Sequence, residues 1–153
     1  MGVDPAEKVK ERNDFTGIAV RAVTEDGKSF SLYTKKVKLT PANLTEFCKK
    51  VFRKFEPDLI HIETNKGYRL YEALQQANLP VAEVIQNKDK YTRLLAVSPH
   101  YENGNVYHRH EGDEDLEEQI TSYPDTDHDD VMDARVLTFQ ETDKSNFLFY
   151  VMS

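Results

Sequence analysis

Phe15-Thr16-Gly17-Ile18-Ala19-Val20-Arg21-Ala22-Val23, the turn Glu25-Asp26-Gly27-Lys28 and the return over residues 29–38 decide the class of fold. The first run is β-rich and half apolar. The turn carries the Asp-Gly pair that reverses a hairpin, and the second run resumes as a strand. The period then changes. Thr40-Pro41 sets a capping hydroxyl before a proline at the first helical position. Leu44, Phe47, Cys48, Val51, Phe52 and Phe55 recur at helical spacing until Pro57 stops them. Asp58-Leu59-Ile60-His61-Ile62-Glu63 reads as a short buried strand. Asn65-Lys66-Gly67 turns into a second helix carrying Leu70, Leu74 and Ala77, and residues 81–85 read as another short strand. A helix is expected over 88–97, a hairpin return or strand at 104–107, and a helix over 116–123 that Pro124 breaks. An acidic helix follows. Upstream, Gly2-Val3-Asp4 reads as the end of a first strand, turned by Asp4-Pro5-Ala6 into a charged loop over 7–13. Residues 146–152, apolar and aromatic, suit a terminal strand or a patch for a missing partner. A hairpin followed by β-α-β-α units predicts an α/β fold with a mixed sheet flanked by helices.

The bulk properties narrow the class. The chain has 153 residues, the size of one domain (1–153), and 39% hydrophobic content is enough for a core. There is no apolar run near the roughly 20 residues that span a bilayer, so no membrane role is expected, and no signal-peptide layout is present. The lone Cys48 cannot form an internal disulfide, fits a reducing compartment, and reads as helix packing. Net charge is −7, which weakens a nucleic-acid reading. Much of the acid is gathered in residues 111–118 and 125–133, however, and a metal-binding cluster loses part of its charge when loaded.

His128-Asp129-Asp130-Val131-Met132-Asp133-Ala134 carries the chemistry. In a helix, positions 129 and 133 are one turn apart and 130 and 133 nearly so, which points the three acids into one sector. The apolar residues beside them face a core, and acids clustered against it repel unless a cation holds them. Asp4 and Glu63 each end a strand, and in α/β sheets sites gather at the carboxyl ends of strands. Hard oxygen ligands from separate elements suit Mg²⁺ or Mn²⁺, and two such ions about 4 Å apart support phosphodiester cleavage. Taken singly, each acid has a plainer explanation: Asp4 before a proline is a turn residue, Glu63 is solvated, and Asp129 serves the helix dipole. The site is inferred from their co-occurrence, and spacing leaves open which of Asp129, Asp130 and Asp133 reaches a metal. His108 and His110 share a strand face, but no third ligand stands nearby for zinc.

These segments resemble a family in order. Gly2-Val3-Asp4-Pro5-Ala6 with Asn13-Asp14-Phe15-Thr16-Gly17-Ile18-Ala19 is similar to the opening of the nuclease domain of tailed-phage terminase large subunits. Ile60-His61-Ile62-Glu63-Thr64-Asn65 resembles its second acidic strand. Residues 88–93 leading to Glu102-Asn103-Gly104-Asn105-Val106 resemble its basic helix and following strand. Leu116-Glu117-Glu118-Gln119-Ile120, Tyr123-Pro124 and the 128–134 run resemble its final segment. The likeness spans residues 2 to about 140.

The resemblance implies an RNase H-like fold and a two-metal endonuclease, using Mg²⁺ or Mn²⁺, that cuts concatemeric viral DNA for packaging in the host cytoplasm. Asp4, Glu63 and Asp130 become the core catalytic ligands, and Asp129 holds the second ion or a water. Asp14 and Asp133 are auxiliary, and His128 binds metal or a scissile phosphate. Lys88, Lys90 and Arg93 are expected to contact double-stranded DNA, with a solvated helix face as the plainer account. The nucleophile is a water, so no side chain attacks. The terminase ATPase domain, portal or small terminase are the implied partners. The chain has no G-x-x-x-x-G-K-[ST] run, so the ATPase motor is absent and translocation is not expected of it. Another nuclease of the superfamily, such as a junction resolvase, and a non-catalytic docking module of a packaging motor are the alternatives.

Overall fold

The computed structural model describes residues 1–6 and 15–140. In chain order it contains β1 (Gly2–Asp4), β2 (Thr16–Val23), β3 (Ser29–Val37), α1 (Pro41–Phe55), β4 (Ile60–Glu63), α2 (Thr64–Gln76), β5 (Val81–Val84), α3 (Lys90–Glu102), β6 (Val106–Tyr107), α4 (Glu114–Ser122) and α5 (Asp130–Leu137). The strands form a mixed sheet in the order β5-β4-β1-β2-β3-β6. β1 pairs antiparallel with β2 and parallel with β4, and β4 pairs parallel with β5. The charged loop over 7–13, Asp14 and the apolar run at 146–152 lie outside the described residues.

Strand alternation divides the sheet into two faces. Val3, Ile18, Val20, Ile60 and Ile62 join Leu44, Cys48 and Val51 of α1 and Leu70 and Leu74 of α2 in one buried cluster. Cys48 is fully buried there, and burial pushes its thiol up to about 12. That is a packing role, as its helical spacing predicts. The other face is covered by α5, which packs on β1 and β2. On its outer side, Val131 and Met132 of α5 meet Leu116 of α4, with Leu94, Ile120 and Tyr123 around them. Every residue from Val131 to Leu137 is buried, Arg135 and Asp133 included, so α5 is enclosed on all sides rather than amphipathic.

Local boundaries differ from expectation. α2 starts at Thr64, straight out of β4, and the turn expected over Asn65-Lys66-Gly67 remains as a kink at Gly67, where φ −114° and ψ 23° leave the helical region. The Asn65 side chain clips the loop after β5. Its Oδ1 accepts from the Gln86 N–H at 2.8 Å and its Nδ2 donates to the Gln86 carbonyl at 3.4 Å. Of the two forms expected at 104–107, the strand holds and the hairpin return does not: β6 at Val106–Tyr107 joins the sheet parallel to β3, Ser29 opposite Val106. The helix expected over 88–97 begins at Lys90, where the Asp89 carboxylate accepts from the Thr92 N–H and hydroxyl, and it runs on to Glu102 through Pro99. Among the described residues, no helix is long and apolar enough to cross a membrane.

Asp113 ties α4 to the sheet. It is 1% exposed and accepts from Thr34 Oγ1 at 2.7 Å, Ser31 Oγ at 3.1 Å, the Arg109 backbone N–H at 2.7 Å and the Arg109 guanidinium at 2.7 Å. Burial alone raises a carboxyl pKa, but these donors, Arg109 foremost, more than offset it and hold the group at about 2. A depressed folded-state pKa stabilises the fold above the ordinary carboxylate range, and the contribution is lost as pH falls toward 2. Asp113→Ala strands four donors around a void. It is expected to cost about 3 kcal/mol at pH 7. In urea titrations the gap from the parent narrows between pH 4 and pH 2, and a gap independent of pH contradicts the assignment.

Candidate active site

The register places the first two acids. β1 and β4 run parallel with Gly2 opposite His61 and Val3 opposite Ile62. One step further on, Asp4 and Glu63 end adjacent strands side by side. Val3, Ile60 and Ile62 face the α1–α2 core, so Asp4, His61 and Glu63 face α5. Asp4 is 3% exposed and Glu63 6%. His61, lower on the same face, is held neutral by burial, its pKa lowered to about 4.

Two glycines bring α5 onto this ledge. A Cβ at Gly17, the β2 residue opposite Asp4, would lie 1.9 Å from the Asp130 carbonyl oxygen. One at Gly2 would lie 2.1 Å from that of Ala134. The helix backbone therefore rests directly on the strand backbones. It runs from the carboxyl end of β1 back along it, and its start, with Asp129 at the cap and Asp130 and Asp133 in the first turn, lies at the Asp4 end. Asp129 is the residue before the first turn and Asp133 is 6% exposed.

The electrostatics follow from this crowding. Burial, then the Asp133 carboxylate, push the Asp4 carboxyl well above the usual carboxylate range; Lys66 opposes the shift, and Glu63 and Asp130 add to it. Oδ1 of Asp4 is buried with no hydrogen-bond partner among the described residues. Burial also raises Asp133, against the pull of Lys90 and Arg93. Lys90 Nζ donates to both Asp129 and Asp133, the latter at 2.7 Å. Arg93 Nη1 stands 3.6 Å from Asp133 Oδ1. Lys66, in the first turn of α2, loses charge stability to burial but regains more from Asp4, Glu63 and Asp133, and its pKa is raised.

Of the residues singled out from sequence, Asp4, Glu63, Asp130 and Asp133 come into one electrostatic neighbourhood, with Asp129 linked through Lys90. The His128 ring stands edge-on to Phe15 with centroids 5.3 Å apart. Lys88 is exposed in the loop before α3. Asp14 lies outside the described residues. Lys66, read from sequence as part of a turn, lies near Asp4 and Asp133 because α2 starts directly at the end of β4.

Hard carboxylate oxygens, one of them buried with no partner among the described residues, suit Mg²⁺ or Mn²⁺. Among the described residues, no three His, Cys, Asp or Glu side chains form a ready ligand set, and the ammonium of Lys90 bridges two of the acids. The residues fit the ions in kind, and a loaded site needs the lysine to yield.

The model of the terminase RNaseH-like domain matches residues 1–141. The chain belongs to the terminase RNaseH-like domain family. No curated protein matches it. Among solved structures, the terminase RNaseH-like chain is similar to T. thermophilus RuvC in complex with Holliday junction substrate. The TM-score is 0.51 at 16% identity, over 89% of this chain and 87% of that one. At that identity the likeness bears on the fold, which is RNase H-like: a mixed sheet flanked by helices.

Proposed function

We propose that this terminase RNaseH-like chain is the nuclease domain of a viral terminase large subunit. On this reading it is an endonuclease dependent on Mg²⁺ or Mn²⁺ that cuts concatemeric duplex DNA for packaging in the host cytoplasm. One observation carries the reading: Asp4 and Glu63 end adjacent parallel strands directly beneath the acidic first turn of α5, with an oxygen of Asp4 buried and without a partner among the described residues. Asp4, Glu63 and Asp130 would hold the ions, with Asp129 toward a second one. When bound, two divalent ions supply an activated water and neutralise charge on the leaving oxygen. Asp133 and Lys66 set the local charge balance, and the enclosed α5 holds the acids rigidly against the sheet. Lys88, exposed in the loop before α3, would meet the DNA phosphates, while Lys90 and Arg93 are turned toward Asp133 in the metal-free protein. The ATPase motor, portal and small terminase are the partners this reading calls for.

Plasmid nicking with Mn²⁺ tests it, comparing the intact chain with Asp130→Ala. The substitution is expected to lower cutting about 100-fold or more. No cutting by either chain favours a non-catalytic docking module. Cutting confined to a four-way junction, with plasmid untouched, transfers the assignment to a resolvase.

A further inference from the structure

Within the proposed nuclease site, we infer that Lys90 is a built-in counter-cation, seated between Asp129 and Asp133, that a divalent ion must displace in order to load. Resting on the nuclease reading, the inference adds how the site regulates its metal.

Lys90 is not posed as an outward phosphate contact. Its side chain is 22% exposed, and its ammonium bonds both an acid that is largely buried and one at the rim. Arg93, one turn further along α3, turns its guanidinium toward the same buried acid. The seat is constructed. Asp89 caps α3 and fixes Lys90 as its first residue, and the Asn65–Gln86 clip anchors the preceding loop to the start of α2. Three elements thus converge to hold one ammonium over α5.

The charge balance shows why. Among the described residues, five carboxyl groups, Asp4, Glu63, Asp129, Asp130 and Asp133, stand against three cations, Lys66, Lys90 and Arg93, so acids outnumber cations. Without Lys90 the imbalance grows, and the metal-free fold bears more of the repulsion. With Lys90 in place, each arriving divalent ion meets a positive charge already on its ligands. The lysine therefore stabilises the metal-free protein and weakens its hold on metal.

Calorimetric titration with Mn²⁺, together with melting in the absence of metal, tests this on the whole chain. Lys90→Met is expected to melt at a lower temperature than the parent without metal and to bind Mn²⁺ about tenfold tighter. Lys90→Arg, which keeps the charge, is expected to bind Mn²⁺ as the parent does. Where Lys90→Met does not fold, Lys90→Gln, which keeps a donor toward Asp133, takes its place with the same expectation. A parent that binds Mn²⁺ and a neutral variant that binds it no tighter overturns the counter-cation role and leaves the nuclease reading intact. Absence of Mn²⁺ binding by the parent and every variant removes both.

Discussion

Asp4→Asn is expected to lower Mn²⁺-dependent DNA cutting by about 1,000-fold while raising the melting temperature of the metal-free protein. The two effects have one cause. Asp4 is buried at the end of β1 and one of its oxygens has no partner among the described residues. Burial and the Asp133, Glu63 and Asp130 carboxylates raise its pKa well above the ordinary 3.8, and Lys66 offsets only part of this. A carboxyl with a raised folded-state pKa favours folding most below about pH 4, and that contribution is lost as pH rises through the elevated value. At pH 7.5 the acid opposes the fold, whether by carrying a buried charge or by having to take up a proton. Asparagine removes that titration at nearly constant volume. A gain of about 1 kcal/mol corresponds to roughly 2–4 °C for a chain of this length. The gain shrinks on acidification, because the parent then protonates. Saturating Mn²⁺ reverses the order, since only the parent keeps the ligand that couples metal to folding. A variant that melts lower than the parent at pH 7.5 without metal and still cuts would remove Asp4 from the site.

The sheet was legible because its signals are local. Asp26-Gly27 reverses the hairpin, with the Gly27 N–H on the Thr24 carbonyl at 2.9 Å, and apolar residues alternate on both flanking strands. Asp4 and Glu63 were legible as a pair because each is the polar residue that ends a short apolar strand, and parallel pairing of such strands brings their ends together. What escaped is set by contacts across long separations. Nothing around Arg135 in the sequence says that a helix over 130–137 is buried on every side, since an arginine in mid-helix reads as surface; its Nη2 donates to Ser29 Oγ at 3.2 Å. The pairing of Lys90 with acids 39 and 43 residues away is equally silent. A basic residue near a proposed DNA site reads as a phosphate contact unless the space around it is known.

Gly17→Ala is expected to be the most damaging single-methyl change on the sheet. The added Cβ would fall 1.9 Å from the Asp130 carbonyl oxygen and 2.3 Å from its carbon, and both are backbone atoms of a helix packed against its neighbours. No rotamer relieves such an overlap, so the first turn of α5 or the strand must move. Moving α5 off the sheet drives Val131 and Met132 into Leu116, which packs on its outer side. A cost of about 3 kcal/mol follows, or roughly 6–12 °C in melting temperature. The same displacement carries Asp130 and Asp133 off Asp4. The surviving folded protein should therefore show little rise in melting temperature with Mn²⁺ and should cut weakly, although no acid has been altered. Gly104→Ala is the control: its φ of 68° strains an alanine, but nothing lies within 4 Å of the new methyl. It should cost only about 1–2 kcal/mol and leave the metal response whole. Equal destabilisation by the two substitutions, or an unchanged Mn²⁺ response in Gly17→Ala, would show that the site does not depend on the close seat of α5 against β2.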